Sequence, residues 1–268
     1  MPRRSPIPLI KAHAYGNDFL LAPSPIPAGL DLRAFSRRVC HRHEGIGADG
    51  LLIVQRRTAG AAMRLFNADG SPSELSGNGV RCLGAWLALS DGLTAGTRLA
   101  IDTGAGLKSL EVLSMDGPRV TMRAAMGQPE AVRLVDLDVA GARTSVVVMR
   151  IGNPQCVVLG AVTEERLQGV ASRLAVHPYF PEGTNVELAE VEAPDRVRIL
   201  IWERGVGPTT SSGTGTCAAA VAAATYGGAE RDVTVAAPGG SQRVEWNADG
   251  LWLTGWAEVV ASVEWWFP

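Results

Sequence analysis

Two stretches decide how this chain is read: "ELSGNGVRC" at 74–82 and "SSGTGTCAA" at 211–219. Each runs Ser-Gly-x-Gly straight into apolar residues, and Ser76 and Ser212 stand 136 positions apart. Further matches share that spacing: Gly16-Asn17 with Gly152-Asn153, Asn67 with Glu203, and Asp49 with Asn185. In each, a polar or glycine-rich turn adjoins β-prone residues such as "FLLA", "CVVL" and "LLIV". Solenoid arrays repeat at roughly 20–50 residues; an offset of half the chain indicates two similar α/β halves. Duplicated halves that face one another across a pseudo-two-fold axis leave a cleft suited to a ligand.

The pattern outward from the motifs fits this scheme. Strands are expected near 7–13, 18–23, 50–56 and 62–67, with a helix near 31–42 and another opening after Ser76. Strands follow in "RLAIDTGAGLKSLEVLS" and "RVTMRAA". The second half repeats the order: strands near 144–151, 155–160, 184–191 and 196–203, and helices in "TEERLQGVASRLA" and "TGTCAAAVAAATYG". "QRVEWNADGLWLTGW" reads as a hairpin turning at Asn247–Gly250, and "VEWWFP" as a strand returning to the first half. The halves are placed at 1–118 with about 262–268, and at 119–261. Trp246, Trp252, Trp256, Trp265 and Trp266 are assigned by default to closing the core.

Composition narrows the function. The 268 residues are 46 % apolar and 19 % charged, a folded globular composition. A net charge of −2 points to no nucleic-acid and no membrane partner. Cys40, Cys82, Cys156 and Cys217 form no CxxC pair and no metal-ligand spacing, so free buried thiols are expected. The start "MPRRSPIPLIKAHAYG" lacks the apolar run of a signal peptide and no segment is long enough to span a bilayer. A cytoplasmic protein is therefore expected. No P-loop pattern occurs and neither glycine motif holds a lysine, so no metal, nucleotide or pyridoxal cofactor is expected.

The first amides of a helix lack internal partners and point outward at the positive end of its dipole. "SGNG" and "SGTG" are therefore candidate anion cradles. Removing a proton beside a carboxylate builds charge onto its oxygens, and oriented donors strengthen as that charge grows. With Ser76 at one helix mouth and Ser212 at the other, one group could take a proton and the other return one from the opposite face. Serine before a helix is equally a plain N-cap.

On these residues the chain resembles the diaminopimelate epimerase family of cofactor-independent, two-base amino-acid epimerases. The resemblance runs through "GNDFLL", "RHEGIGADGLLIV", "FNADGSPSELSGNGVRC", "GNPQCVV", "GTNVEL" and "ERGVGPTTSSGTGTCAA", in family order. It implies an α+β fold of two pseudo-symmetric halves, each a curled, mostly antiparallel sheet around a central helix, with the active site in the cleft between them. It implies a small amino-acid substrate and a homodimer. Asn17, Asn67, Asn153 and Asn185 would hold substrate polar groups, and Glu203 and Arg204 would recognise substrate and support catalysis. Gly77-Asn78 and Gly213-Thr214 would cradle the reacting carboxylate.

The sequence departs from the family at informative places. Ser76 and Ser212 stand where the family has its catalytic cysteines, Gln155 where a histidine is usual, and Pro208 where glutamate is frequent. Cys82 and Cys217 lie beyond the serines inside the helices, where packing is their role. A thiol starts near pKa ~8.5 and a helix N-terminus lowers it to roughly 3.5–7.5. A hydroxyl starts several units higher and needs an adjacent base. Asp69 and Glu203 are candidates; His13, His41, His43 and His177 lie outside both motifs. Three readings stay open: an epimerase of this type using a serine pair; a related isomerase, racemase or dehydratase acting on another small carboxylate; or a ligand-binding homologue without turnover, including a chain whose cysteines were exchanged to trap ligand.

Overall fold

The computed structural model describes residues 6–266. Arg3 and Arg4 of the basic start, and Phe267 and Pro268 of the last expected strand, lie outside them. The chain divides into two compact units, one made of residues up to Ala124 together with those from Trp256 onward, the other of Ala125–Gly255.

In the first unit β1 (Ile7–Ala14) and β2 (Asn17–Pro23) form a hairpin. Its turn is Tyr15-Gly16, with φ of 54° and 87°. Two positive φ values in a two-residue loop are the I′ geometry that matches strand twist, and glycine adopts them without strain. Helix α1 (Leu32–Cys40) then carries the chain to β3 (Gly50–Arg57), parallel to β2. Strand β4 (Gly60–Asn67) returns antiparallel, followed by the short β5 (Pro72–Ser73) and α2 (Gly77–Ser90). Next come β6 (Arg98–Thr103), parallel to β4, then β7 (Gly106–Asp116) and β8 (Arg119–Gly127) as successive antiparallel hairpins.

The second unit repeats this order. Strand β9 (Glu130–Val139) pairs with β10 (Ala142–Ile151), which pairs with β11 (Asn153–Leu159). Helix α3 (164–174), with a π turn at Leu167–Ala171, leads to β12 (Asn185–Ala193), parallel to β11. Then follow β13 (Arg196–Glu203), β14 (Gly207–Thr209) and α4 (Gly213–Ala222). Strands β15 (Asp232–Ala237), β16 (Gly240–Asn247) and β17 (Gly250–Trp265) end the chain. The turn of the β16–β17 hairpin joins Asn247 to Gly250, where the sequence put it. Past the boundary, β17 pairs with β1, Val263 opposite Leu9. It also runs beside β8, Val259 N–H donating to Pro118 O at 3.1 Å. The first unit's strands thereby form a closed circuit around α2.

Each unit holds one helix inside its curled sheet and one outside. The inner helices are buried on nearly every side and mostly apolar: Val80, Leu83, Ala85 and Leu87 of α2 are at most 3 % exposed, with Arg81 enclosed among them. Each such leucine contributes about 1.5–3 kcal/mol by leaving water. Phe35 and Val39 of α1 pack on Leu20, Leu51 and Ile53, while Leu167 and Leu174 of α3 pack on Val158 and Leu188. Covered on both faces, β2, β3 and β11 carry the apolar runs "FLLA", "LLIV" and "CVVL", and β12 carries "VELA", apolar except for Glu187. The rest of each sheet has only one covered face, and β8 alternates instead.

The structure corrects three sequence expectations. Strands β9 and β15 are additions, since neither carries a motif. Of the five tryptophans, Trp246 and Trp265 pack against the cores of the second and first units as expected, but none is fully buried and Trp266 is 65 % exposed. Trp256, for example, stacks on Tyr15 at 4.4 Å and under Arg119 at 4.3 Å. The Asp49–Asn185 match slips by one: Asn185 lies opposite Gln155 as Gly50 lies opposite Phe19. The connection from β11 to β12 is one residue shorter than that from β2 to β3, so Asn185 takes the place of Gly50 and Glu187 that of Leu52.

Candidate functional site

Both glycine motifs begin a helix. Ser76 is extended (φ −135°, ψ 120°) and its hydroxyl accepts from Gly79 N–H at 3.1 Å. Ser212 is extended (φ −140°, ψ 126°) and accepts from Gly215 N–H at 3.2 Å. Each serine is therefore an N-cap that satisfies one orphan amide. Gly77 and Gly213 open the helices, where the amides have no carbonyl within the helix and the dipole favours an anion.

In the first unit Asn17 and Asn78 are joined. Asn78 Nδ2 donates to Asn17 Oδ1 at 3.1 Å, and Asn17 Nδ2 donates to Asp49 Oδ2 at 2.7 Å. Buried Arg81 donates to Asn78 Oδ1, fixing the amide's orientation. Behind Asn17 stands a charge cluster the sequence did not reveal. Lys11 donates to Asp18 at 2.6 Å, and Arg42 donates to Asp18 at 2.9 Å and Asp49 at 2.7 Å. Burial pushes the Asp18 carboxyl up, but hydrogen bonds from Arg42 and Lys11 outweigh it and hold it below its ordinary value. Asn67 stands apart at the exposed end of β4, its amide donating to Ser71 Oγ at 2.9 Å. Asp69 lies in the same turn and accepts from Ser71 N–H at 2.8 Å. Hydrogen bonds from Ser71 lower its pKa, so it is a poor base.

In the second unit Gln155 is the hub. Its Nε2 donates to Asn153 Oδ1 at 2.6 Å and to Thr214 Oγ1 at 3.0 Å. Gln155 thus ties a β11 amide to the first turn of α4. Asn185 Oδ1 accepts from Arg204 N–H at 2.9 Å, and Arg204 reaches Glu182 O at 2.8 Å. Glu203 ends β13, half-buried, and Pro208 pairs with Trp202 across the β13–β14 turn. Sequence reading missed Glu187, 0 % exposed on β12. Its signal was present: one carboxylate inside the apolar run "NVELA".

The cysteines are free and buried, as expected. Burial pushes the Cys40 thiol up to about 11 and moves those of Cys82 and Cys156 higher still. Cys82 and Cys217 are 0 % exposed within the inner helices and serve packing. Among the described residues no helix is long and apolar enough to cross a membrane.

A sequence profile for diaminopimelate epimerase matches residues 9–132 and 147–260. The diaminopimelate epimerase of Desulforudis audaxviator is 41 % identical over 275 aligned positions, covering 95 % of this chain and 98 % of that protein. That of Desulfitobacterium hafniense is 37 % identical, covering 94 % and 95 %. Among solved structures, a Bacillus anthracis phenazine biosynthesis protein of the PhzF family aligns over 98 % of this chain and 100 % of its own. Its TM-score is 0.71 at 14 % identity, which establishes likeness of fold alone.

Proposed function

The chain belongs to the diaminopimelate epimerase family, and from that premise we propose that it interconverts LL- and meso-diaminopimelate without a cofactor. One serine of the pair Ser76 and Ser212 accepts the Cα proton, and the other returns a proton on the opposite face. The first-turn amides at Gly77-Asn78 and Gly213-Thr214 hold the reacting carboxylate. Their attraction rises as charge moves from Cα onto the carboxylate oxygens, so they stabilise the transition state more than bound substrate. Asn17, Asn67, Asn153, Asn185 and Arg204 take the substrate's remaining polar groups, and Glu203 supports the proton transfer. The enzyme acts in the cytoplasm as a homodimer.

The observation that carries this reading is the repeated helix start, a serine cap over glycine-led amides in each unit with hydrogen-bonded asparagines close by. Incubation with LL-diaminopimelate in D2O, followed by NMR, tests it. Deuterium entering Cα together with the meso isomer is the expected outcome. Binding without exchange would refute epimerisation.

A further inference from the structure

Glu187 points from β12 toward the start of α4, completely enclosed. Neither of its carboxyl oxygens has a hydrogen-bond partner among the described residues. Buried polar side chains are rarely left so. The place where a Cβ would stand on Gly215 is 3.0 Å from Glu187 Cδ and 3.2 Å from Ser212 Cβ, and Glu187 Oε1 lies closer still. Carboxyl and serine therefore border the same residue, whose N–H already bonds Ser212 Oγ. Glycine at 215 is what gives the carboxyl room. The equivalent place in the first unit is apolar, with Leu52 Cδ2 and Phe19 Cε1 each 3.5 Å from the Cβ position of Gly79.

We propose that Glu187 is the proton partner of Ser212, a positioning residue that exchanges the hydroxyl proton so that serine can act at Cα. This rests on the epimerase reading above and supplies the adjacent base a hydroxyl requires. When Ser212 Oγ accepts the Cα proton, its own hydroxyl proton passes to the Glu187 carboxylate, directly or through one water. The C–H electron pair stays on the substrate, and Glu187 becomes a neutral acid. In the other direction the hydroxyl proton goes to the planar carbon. The acid of Glu187 then refills Oγ and is left ionised.

The surroundings suit a group that changes protonation. Burial raises the proton affinity of Glu187, and the charge of Glu203 on β13 raises it further. On β11 Cys156 is the titratable neighbour, its thiol pushed up by burial and then by Glu187. The first turn of α4 (Gly213, Thr214, Gly215, Thr216) contributes no ionisable side chain.

Glu187→Gln keeps the shape and removes the proton exchange. Its kcat should fall about 100-fold or more, within the usual range for a lost acid–base partner, while KM changes less than about threefold. Adding Ser212→Cys should restore at least tenfold, because a thiol at a helix N-terminus ionises unaided; a merely structural role for Glu187 would not be rescued this way. A Glu187→Gln kcat within about threefold of the parent, or a loss that Ser212→Cys leaves unchanged, overturns the proposal. Should the parent not turn over diaminopimelate, the epimerase reading fails by itself and thiolate absorbance still decides. The introduced thiol of Ser212→Cys is titrated with and without Glu187→Gln. A midpoint displaced by about one pH unit is expected; superimposable curves refute the pairing.

Discussion

The starts of α2 and α4 share a backbone and differ in what lies beneath them. Under Gly79 are Phe19 and Leu52; the ladder positions that correspond to them under Gly215 hold Gln155 and Glu187. Polar groups continue below in the second unit, where buried Gln242 donates to Thr216 Oγ1 at 3.3 Å. The first unit keeps its carboxylates at the strand ends instead, Asp18 and Asp49 with Arg42, and its one enclosed charge on α2 is the cation Arg81, bonded to Asn78. Duplication has preserved the device that presents amides and a serine, while the support behind it has diverged. Ser76 and Ser212 are alike in conformation and unlike in chemical surroundings.

Exchange rates probe that difference most strongly. Replacing both serines by cysteine should raise α-proton exchange in D2O by about 100-fold or more, since the helix terminus lowers a thiol into the working range. Of the single variants, Ser76→Cys should gain more than Ser212→Cys, because Ser212 already has a carboxyl beside it. Equal gains would break the comparison. Next comes Gly215→Ala, whose new methyl would collide with Glu187; a loss of about 2–3 kcal/mol is expected in denaturant titrations, as for other overpacked sites. Gly79→Ala meets its nearest atom, Ser76 Cβ, at 3.3 Å and should cost less than about 1 kcal/mol, since alanine favours helix.

Stability against pH separates the units by sign. Glu187 has its proton affinity raised by burial and Glu203. Above the ordinary glutamate range the unfolded chain ionises while the folded one keeps its proton, so stability falls as pH rises, by at most about 1.4 kcal/mol per unit. Asp18 is depressed on balance, burial being outweighed by Arg42 and Lys11. Its contribution is present above the ordinary aspartate range and disappears as pH falls through the folded value. Glu187→Gln should therefore flatten the alkaline side of the stability curve and Asp18→Asn the acid side. The smallest expected effect is shared: Ser76→Ala and Ser212→Ala should each lose about 1 kcal/mol of thermal stability through the missing cap. A much larger loss at one serine would show that its hydroxyl does more than cap.

Much of this was legible from spacing. The 136-residue offset located both inner helices and the strands before them, because turn residues and apolar runs are local signals. Asn17 and Asn78 were named from sequence, yet the bond between them was not, since it joins β2 to α2. The Lys11–Asp18–Arg42–Asp49 cluster escaped for the same reason. Glu187 was visible as an acid within an apolar strand, but which face it occupied depended on a register one residue removed from the repeat. Strand β9 has no glycine motif to mark it, and its mixed burial gives no clean period.

Strand β17 has a consequence for synthesis. Its first residues complete the hairpin with β16, and residues 258–265 seat against β1. A ribosome that has released the chain only as far as residue 250 has produced every earlier strand of the second unit, whereas β1 of the first unit has β2 on one side and still lacks its neighbour on the other. The half made first is therefore the last to be sealed, and a nascent chain stalled near its end would display the unmatched edge of β1.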